Sequence, residues 1–407
     1  MKWITVILLC SGLFHGVYGQ VLDRYLKEAG ESNPGVKSAY LGFEAAMQQV
    51  PQSKALADPQ FSIGYFISPV ETRVGPQQVR LSLSQLFPWF GTREARGDVA
   101  SLMAEAKYQA FLETKNALYY QVKAAWYPLY VISEQLKWQR ENLDILKTYR
   151  QLALTSFSNG RGTMTDVIRT DIMISNTETE IALMEEKIDP LEVVFNRLLN
   201  RPDSSTVMVS EAPDMLPLQE VQWEDSLIEN NPKLEEIKVQ KETARAQETL
   251  AVKNGMPKWG LGMDYVVVGQ RKDVMIPDNG KNVFMPMVTL SLPIFRKKYK
   301  AGISQAQLTR DQLEMTEVAM ENKLISSFEM ARYDLNKSKQ LYQLYDEQVG
   351  KTKQVIDLLY TSYRNSGRDI EEVLRMQQEL IKYEIEKIKA VADYYLAMAK
   401  IEFITAN

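Results

Sequence analysis

The sequence predicts a mainly α protein with a small β part, in which helix, β-hairpin and a pair of very long helices occur twice along one chain. Three observations predict it. The chain repeats itself at an offset near 200 residues, Asn33-Pro34 recurring as Asn231-Pro232. Four short segments alternate apolar and polar residues at period two. Apolar residues also recur every 3.5 residues through stretches too long for a globular helix.

The duplication sets the order of elements. Each Asn-Pro pair opens a helical stretch that runs for about two dozen residues. Pro59-Gln60-Phe61-Ser62-Ile63-Gly64-Tyr65 then recurs as Pro257-Lys258-Trp259-Gly260-Leu261-Gly262-Met263. Further on, Phe157-Ser158-Asn159-Gly160 and Asp166-Val167 correspond to Arg364-Asn365-Ser366-Gly367 and Val373-Leu374, at a slightly larger offset. The added residues fit a longer loop in the second hairpin.

The strands follow from alternation. Phe61, Ile63 and Tyr65 oppose Ser62 and Gly64, and Val79, Leu81 and Leu83 oppose Arg80, Ser82 and Ser84. In the second repeat Trp259, Leu261, Met263 and Tyr265 oppose Gly260, Gly262 and Asp264, while Val288, Leu290 and Leu292 oppose Met287, Thr289 and Ser291. Aromatic residues gather near the strand ends at Phe66, Phe87, Trp89, Phe90, Trp259, Tyr265, Phe284 and Phe295. A membrane barrel places its interfacial girdle there.

The helices follow from the heptads. From Gly91 to about Phe157 only Pro128 interrupts, which at about 1.5 Å per residue is roughly 100 Å of helix. Leu118, Val122, Ala125, Leu129, Ile132 and Leu136 form one seam. Ile174, Thr177, Ile181, Met184, Ile188, Leu191, Phe195 and Leu198 form a second, across Pro190. Leu374, Gln378, Ile381, Ile385, Ile388, Ala392, Tyr395 and Ala399 form a third. Each seam requires a partner helix.

Residues 1–19 read as a secretory signal, with Lys2, an apolar run from Trp3 to Cys10 and Val17-Tyr18-Gly19 before Gln20. Leu8-Leu9 before Cys10 make a lipid attachment there a poor fit. Residues 20–200 form the first repeat, 201–222 a Pro-, Ser- and Asp-rich linker, and 223–407 the second repeat. The single cysteine, Cys10, and the single histidine, His15, both fall in the signal. The mature chain is therefore expected to lack disulfides, Cys or His metal sites and Ser–His or Cys–His nucleophiles. No convergent carboxylate motif replaces them, so neither an enzyme nor a cofactor is expected.

A net charge of −4 argues against nucleic acid as a partner. Eighteen methionines invite a copper site, but they fall on strands and helices where methionine is ordinary packing material. No later run reaches the roughly 18 apolar residues of a spanning helix. Four strands do not close a barrel in lipid, so oligomerisation is expected.

The duplicated Asn-Pro helices, Pro59–Gly64, Leu83-Ser84-Gln85-Leu86-Phe87-Pro88, Ser291-Leu292-Pro293-Ile294-Phe295 and the two glycine turns together resemble TolC-type outer-membrane efflux proteins. The resemblance spans nearly the whole mature chain. It implies a trimeric α/β-barrel fold: a homotrimer whose twelve-stranded barrel lies in outer-membrane lipid and continues into a periplasmic tunnel of helices. It implies a passive exit duct fed by a periplasmic adaptor protein and an inner-membrane pump of the RND type, of the heavy-metal or multidrug class. The run from Leu86 to Gly91 is similar to channels of heavy-metal export systems, without fixing a substrate.

The resemblance also implies a site. Asn159, Gly160, Arg161, Ser366 and Gly367 are the matching adaptor-contact residues in the tip turns. Thr165, Asp166, Tyr363 and Arg368 match a closing latch, and Glu372 occupies the place corresponding to Asp166. By threefold symmetry, lumen-facing Asp166 or Glu372 makes a ring of negative charge that favours cations. Arg169 and Arg375, three residues on, are placed to neutralise such rings through intrahelical pairs. The other reading of these residues is structural, with Asp166 and Glu372 serving the first turns of their helices. For the whole chain the other reading is a coiled-coil structural or adhesion protein of the cell envelope, which the heptads also fit.

Overall fold

The structure is a computed structural model of the chain and describes residues 19–209, 230–273, 275–366 and 370–406. The expected signal up to residue 18, much of the linker and two tip residues, Gly367 and Arg368, lie outside the described residues. The elements run α1 (Gly19–Ser32), α2 (Pro34–Lys54), β1 (Gln60–Thr72), β2 (Gly75–Phe87), α3 (Thr92–Ser158), α4 (Met164–Leu198), α5 (Pro232–Asn254), β3 (Lys258–Val268), β4 (Val283–Ser291), α6 (Arg296–Ser366) and α7 (Ile370–Thr405). After α1, which the repeat alone did not delimit, the second repeat reproduces the first element for element.

The Asn-Pro pairs show why the order repeats. Asn33 Oδ1 accepts from Gly35 N at 2.8 Å and Val36 N at 3.2 Å, capping α2. Its amide donates to the Leu198 carbonyl at 2.8 Å, the last residue of α4. The second copy does the same at the close of its own repeat, Asn231 donating to the Ile404 carbonyl at 2.9 Å near the end of α7. Each asparagine thus satisfies one of the carbonyls that a helix end leaves without a partner.

Compact packing divides the chain differently from the repeat. One unit takes residues up to Ser38, Glu113–Asn231 and from Asn322 onward, and the other takes Ala39–Leu112 and Pro232–Glu321. The first unit is helical. Leu118, Val122, Leu129, Ile132 and Leu136 of α3 are buried there, as their heptad predicts. In α7 the buried surface is wider than one seam, taking in Gln377 while Gln378 of the predicted seam is exposed. Gln377 donates to Asn142 Oδ1 at 3.2 Å, so a side-chain hydrogen bond to α3 selects the neighbouring position. Pro128 and Pro190 lie within continuous helices.

The second unit holds the sheet, four antiparallel strands in the order β1-β2-β3-β4. β1 and β2 join through a tight turn, β3 and β4 through the longer loop the offset predicts. Gly75 sits at that turn with φ 132°, where a Cβ would lie 1.8 Å from the Gly269 carbonyl oxygen. The register aligns Phe61, Leu83, Met263 and Pro286 across the sheet, and Ser62, Ser82, Asp264 and Met285 beside them. One face therefore gathers Ile63, Tyr65, Leu81, Leu261, Tyr265 and Val288. The other gathers serine, glycine and threonine with Arg80, Asp264, two methionines and the pair Val266 and Val283. The apolar face is bare, Ile63 being 67% and Tyr65 73% exposed.

Candidate functional site

The first tip turn is built by backbone geometry. After Ser158, Asn159 donates from N and Nδ2 to the Thr155 carbonyl at 3.2 and 2.8 Å. Gly160 takes φ 67°, a left-handed conformation that glycine adopts without a Cβ clash. Arg161 N and Gly162 N then return to the Ser156 carbonyl at 2.9 and 3.2 Å, satisfying the end of α3. Asn159 and Arg161 stand exposed at the turn.

α4 begins with a capping box. Thr163 Oγ1 accepts from Asp166 N at 3.3 Å, while Asp166 Oδ2 accepts from Thr163 N at 3.1 Å and from its hydroxyl at 2.9 Å. Asp166 is therefore half-buried and engaged in starting its helix, and Thr165 beside it is exposed. This arrangement supports the structural reading of Asp166 without moving it from the tip.

Behind the turn lies a compact apolar cluster of Leu146, Tyr149, Ala153, Val167, Met173, Ile370, Val373 and Leu374. Val167 and Val373 are both buried in it, and they directly follow Asp166 and Glu372. The two carboxylates thus hold equivalent places relative to one core. Burial pushes the Tyr149 phenol up to about 12, with Tyr360 and Asp357 adding to the effect.

Glu372 is exposed and pairs with Arg375 at 3.3 Å, the intrahelical pair expected from their spacing. Arg169 behaves differently. It reaches across from α4 to Glu371 at 2.8 Å. Arg150 likewise pairs with Asp171 across the first turn. Glu371, Arg150 and Asp171 were not singled out from sequence, because pairing between helices follows from packing and leaves no local spacing signal. Glu371 alone had a clue in its adjacency to Glu372.

Tyr363 packs half-buried against the apolar cluster, and its hydroxyl lies 3.0 Å from Ser156 Oγ. It joins α6 to the first turn of the same chain. Ser366 is the last residue of α6. Among the described residues no group of three or more acidic, His or Cys side chains is arranged to hold a metal ion, and no helix is long and apolar enough to cross a membrane.

The sequence model of the family described as Outer membrane efflux protein matches residues 25–200, essentially the first repeat. Solved channels match both repeats together. A structure of CusC has a TM-score of 0.80 at 13% identity, covering 95% of this chain and 92% of that one. The outer-membrane channel OprN has a TM-score of 0.78 at 16% identity, covering 95% and 90%. VceC from Vibrio cholerae has a TM-score of 0.78 at 13% identity, covering 96% and 98%. The fold is that of a TolC-type outer-membrane channel. No curated protein sequence matches the chain at a significant level. The TolC-type resemblance stated from the motifs therefore stands in sequence for the first repeat and in fold for both. The apolar cluster behind the first turn draws on both repeats, Val167 from one and Val373 from the other.

Proposed function

We propose that the chain is the outer-membrane exit duct of a tripartite efflux system, a homotrimer that conducts passively what an inner-membrane pump and a periplasmic adaptor deliver. One observation carries the reading: a four-stranded sheet with a bare apolar face and two outer strands, β1 and β4, at its edges. An apolar face in water invites aggregation, and an open edge in lipid leaves backbone groups unpaired at several kcal/mol each. Both problems vanish when β1 of one copy pairs with β4 of the next in a head-to-tail ring that closes. Three copies of four strands give a twelve-stranded barrel, its apolar face toward lipid and its serine- and glycine-rich face toward water.

The tips serve as the closing end and the adaptor contact. Asn159, Gly160, Arg161, Ser366 and Gly367 form the docking turns. Thr165, Asp166, Tyr363, Arg368 and Glu372 form the gate. Cargo, a heavy-metal ion or a drug-like compound, is chosen by an RND-type pump, and the duct adds no chemistry.

Extraction from membranes with detergent followed by native mass measurement and planar-bilayer recording tests the reading. A three-chain particle that conducts is the expected result. A water-soluble single chain recovered from the periplasm that never conducts sinks it in favour of the adhesion or structural alternative. For the gate, Arg368→Ser combined with Tyr363→Phe is expected to raise single-channel conductance, and an unchanged conductance removes those two residues from it.

A further inference from the structure

The four strands contain only four charged residues, Glu71, Arg80, Lys258 and Asp264. Glu71 is next to the end of β1 and Lys258 opens β3, so both stand at the margins. Arg80 and Asp264 lie within the sheet. Arg80 is registered against Val266 and Ser82 against Asp264, which makes Arg80 and Asp264 diagonal neighbours on one face. That face also carries Ser62, Gly64, Ser84 and Gly262, with Val266 opposite Arg80 and Met285 opposite Asp264.

Arg80 Nη2 donates to Asp264 Oδ2. The pair is unequal. The Asp264 side chain is 0% exposed, whereas that of Arg80 is 45% exposed. Asp264 Oδ1 is buried with no hydrogen-bond partner. A carboxylate shut away from water with one oxygen unpartnered is held there by its charged neighbour. A pair serving only to join β2 and β3 would be as well made from amides. An ion pair with its anion hidden and its cation showing presents positive potential to the water beside it, and low-dielectric walls focus that potential.

We propose that Arg80, anchored by buried Asp264, is a selectivity residue of the barrel, forming a ring of three guanidinium groups that attracts anionic solutes. The proposal rests on the duct reading, which turns the polar face toward the lumen. Guanidinium binds phosphate and carboxylate in a fork of two hydrogen bonds, so multiply charged anions of those classes are the solutes it holds longest. Asp264 is a positioning residue: it keeps the guanidinium at the wall, where it lines the path without obstructing it.

The test uses purified full-length protein in planar bilayers, with inositol hexakisphosphate added on the barrel side. Wild type is expected to be blocked, while Arg80→Gln/Asp264→Asn, which keeps the hydrogen-bonding shape without charge, requires about five-fold more blocker. Arg80→Lys, which keeps the charge and loses the fork, falls between wild type and the double variant in block. Potassium chloride raised from about 0.1 to about 1 M, which shortens the screening length from roughly 10 to 3 Å, weakens wild-type block about ten-fold. Equal block of wild type and the double variant overturns the proposal and leaves the duct intact. Wild-type block indifferent to salt overturns it too, and needs no variant to fold. Absence of conductance in the wild type overturns the duct reading itself.

Discussion

The sheet and the helical tip use apolar residues in opposite senses. Behind the tip turns Val167, Ile370, Val373 and Leu374 are each 1% exposed, shut inside a cluster that excludes solvent. On the sheet Ile63, Tyr65 and Val288 are among the most exposed side chains of the chain, and the polar partners in the alternation occupy the other face. The same patterning rule wrote both. It specifies which residues share a face, but the surroundings of that face decide whether it turns inward or outward. The tip makes its own apolar interior, whereas in the proposed duct the sheet takes its apolar surroundings from lipid and its missing edge partners from further copies.

The largest effect expected from this contrast is at Ile63. In the proposed trimer Ile63→Lys places a charge on the lipid-facing side at about 2–4 kcal/mol per chain, three times in each assembly. Folding into lipid vesicles followed through a urea titration measures it. Ser62→Lys on the polar face is expected to cost less than about 1 kcal/mol, and equal costs for the two break the comparison. Next comes Leu374→Ala, which opens a cavity in the tip cluster at about 3 kcal/mol. Thermal unfolding monitored by circular dichroism reports it, and insertion into vesicles should be unaffected.

Asn231→Ala leaves the buried Ile404 carbonyl without its donor, a cost of about 2 kcal/mol. Asn33→Ala, the matching cut at a half-buried site, costs less, and chemical denaturation of the two variants side by side compares them. Thr163→Ala deletes one half of the capping box at about 1 kcal/mol, with amide exchange rising in the first turn of α4 before the global melt moves.

The last effect, silent at neutral pH, is a pH dependence. The folded Tyr149 phenol holds its proton to about 12, whereas the unfolded one releases it near 10. Its stabilising contribution is complete below pH 10 and is lost as pH rises through 12. Tyr149→Phe should flatten that decline in an alkaline denaturation series.

Most of the fold was legible because its signals are local and repeated. The Asn-Pro caps, the period-two strands and the heptads each need only a short window, and the duplication presents each of them again. The register β2 to β3 was not legible, because nothing near Arg80 announces that Val266 lies opposite. At the site, the glycine turn and the pair Glu372–Arg375 were readable from spacing. The capping box shows why Asp166 stands after Thr163, a role that its place in the first helical turn suggested. Arg169 with Glu371 and Arg150 with Asp171 escaped, since those partners meet only after separate helices have packed.

The two asparagine clasps carry a consequence for ancestry. Each half ties its beginning to its own ending, Asn33 to Leu198 and Asn231 to Ile404, and so borrows nothing from its twin to finish that knot. The halves still share an interior, Val167 of the first and Val373 of the second lying in one cluster. Fusion into one chain guarantees that the two unlike halves alternate. Once alternation is guaranteed, the twins are free to diverge, one keeping a tight hairpin while the other grows a long one.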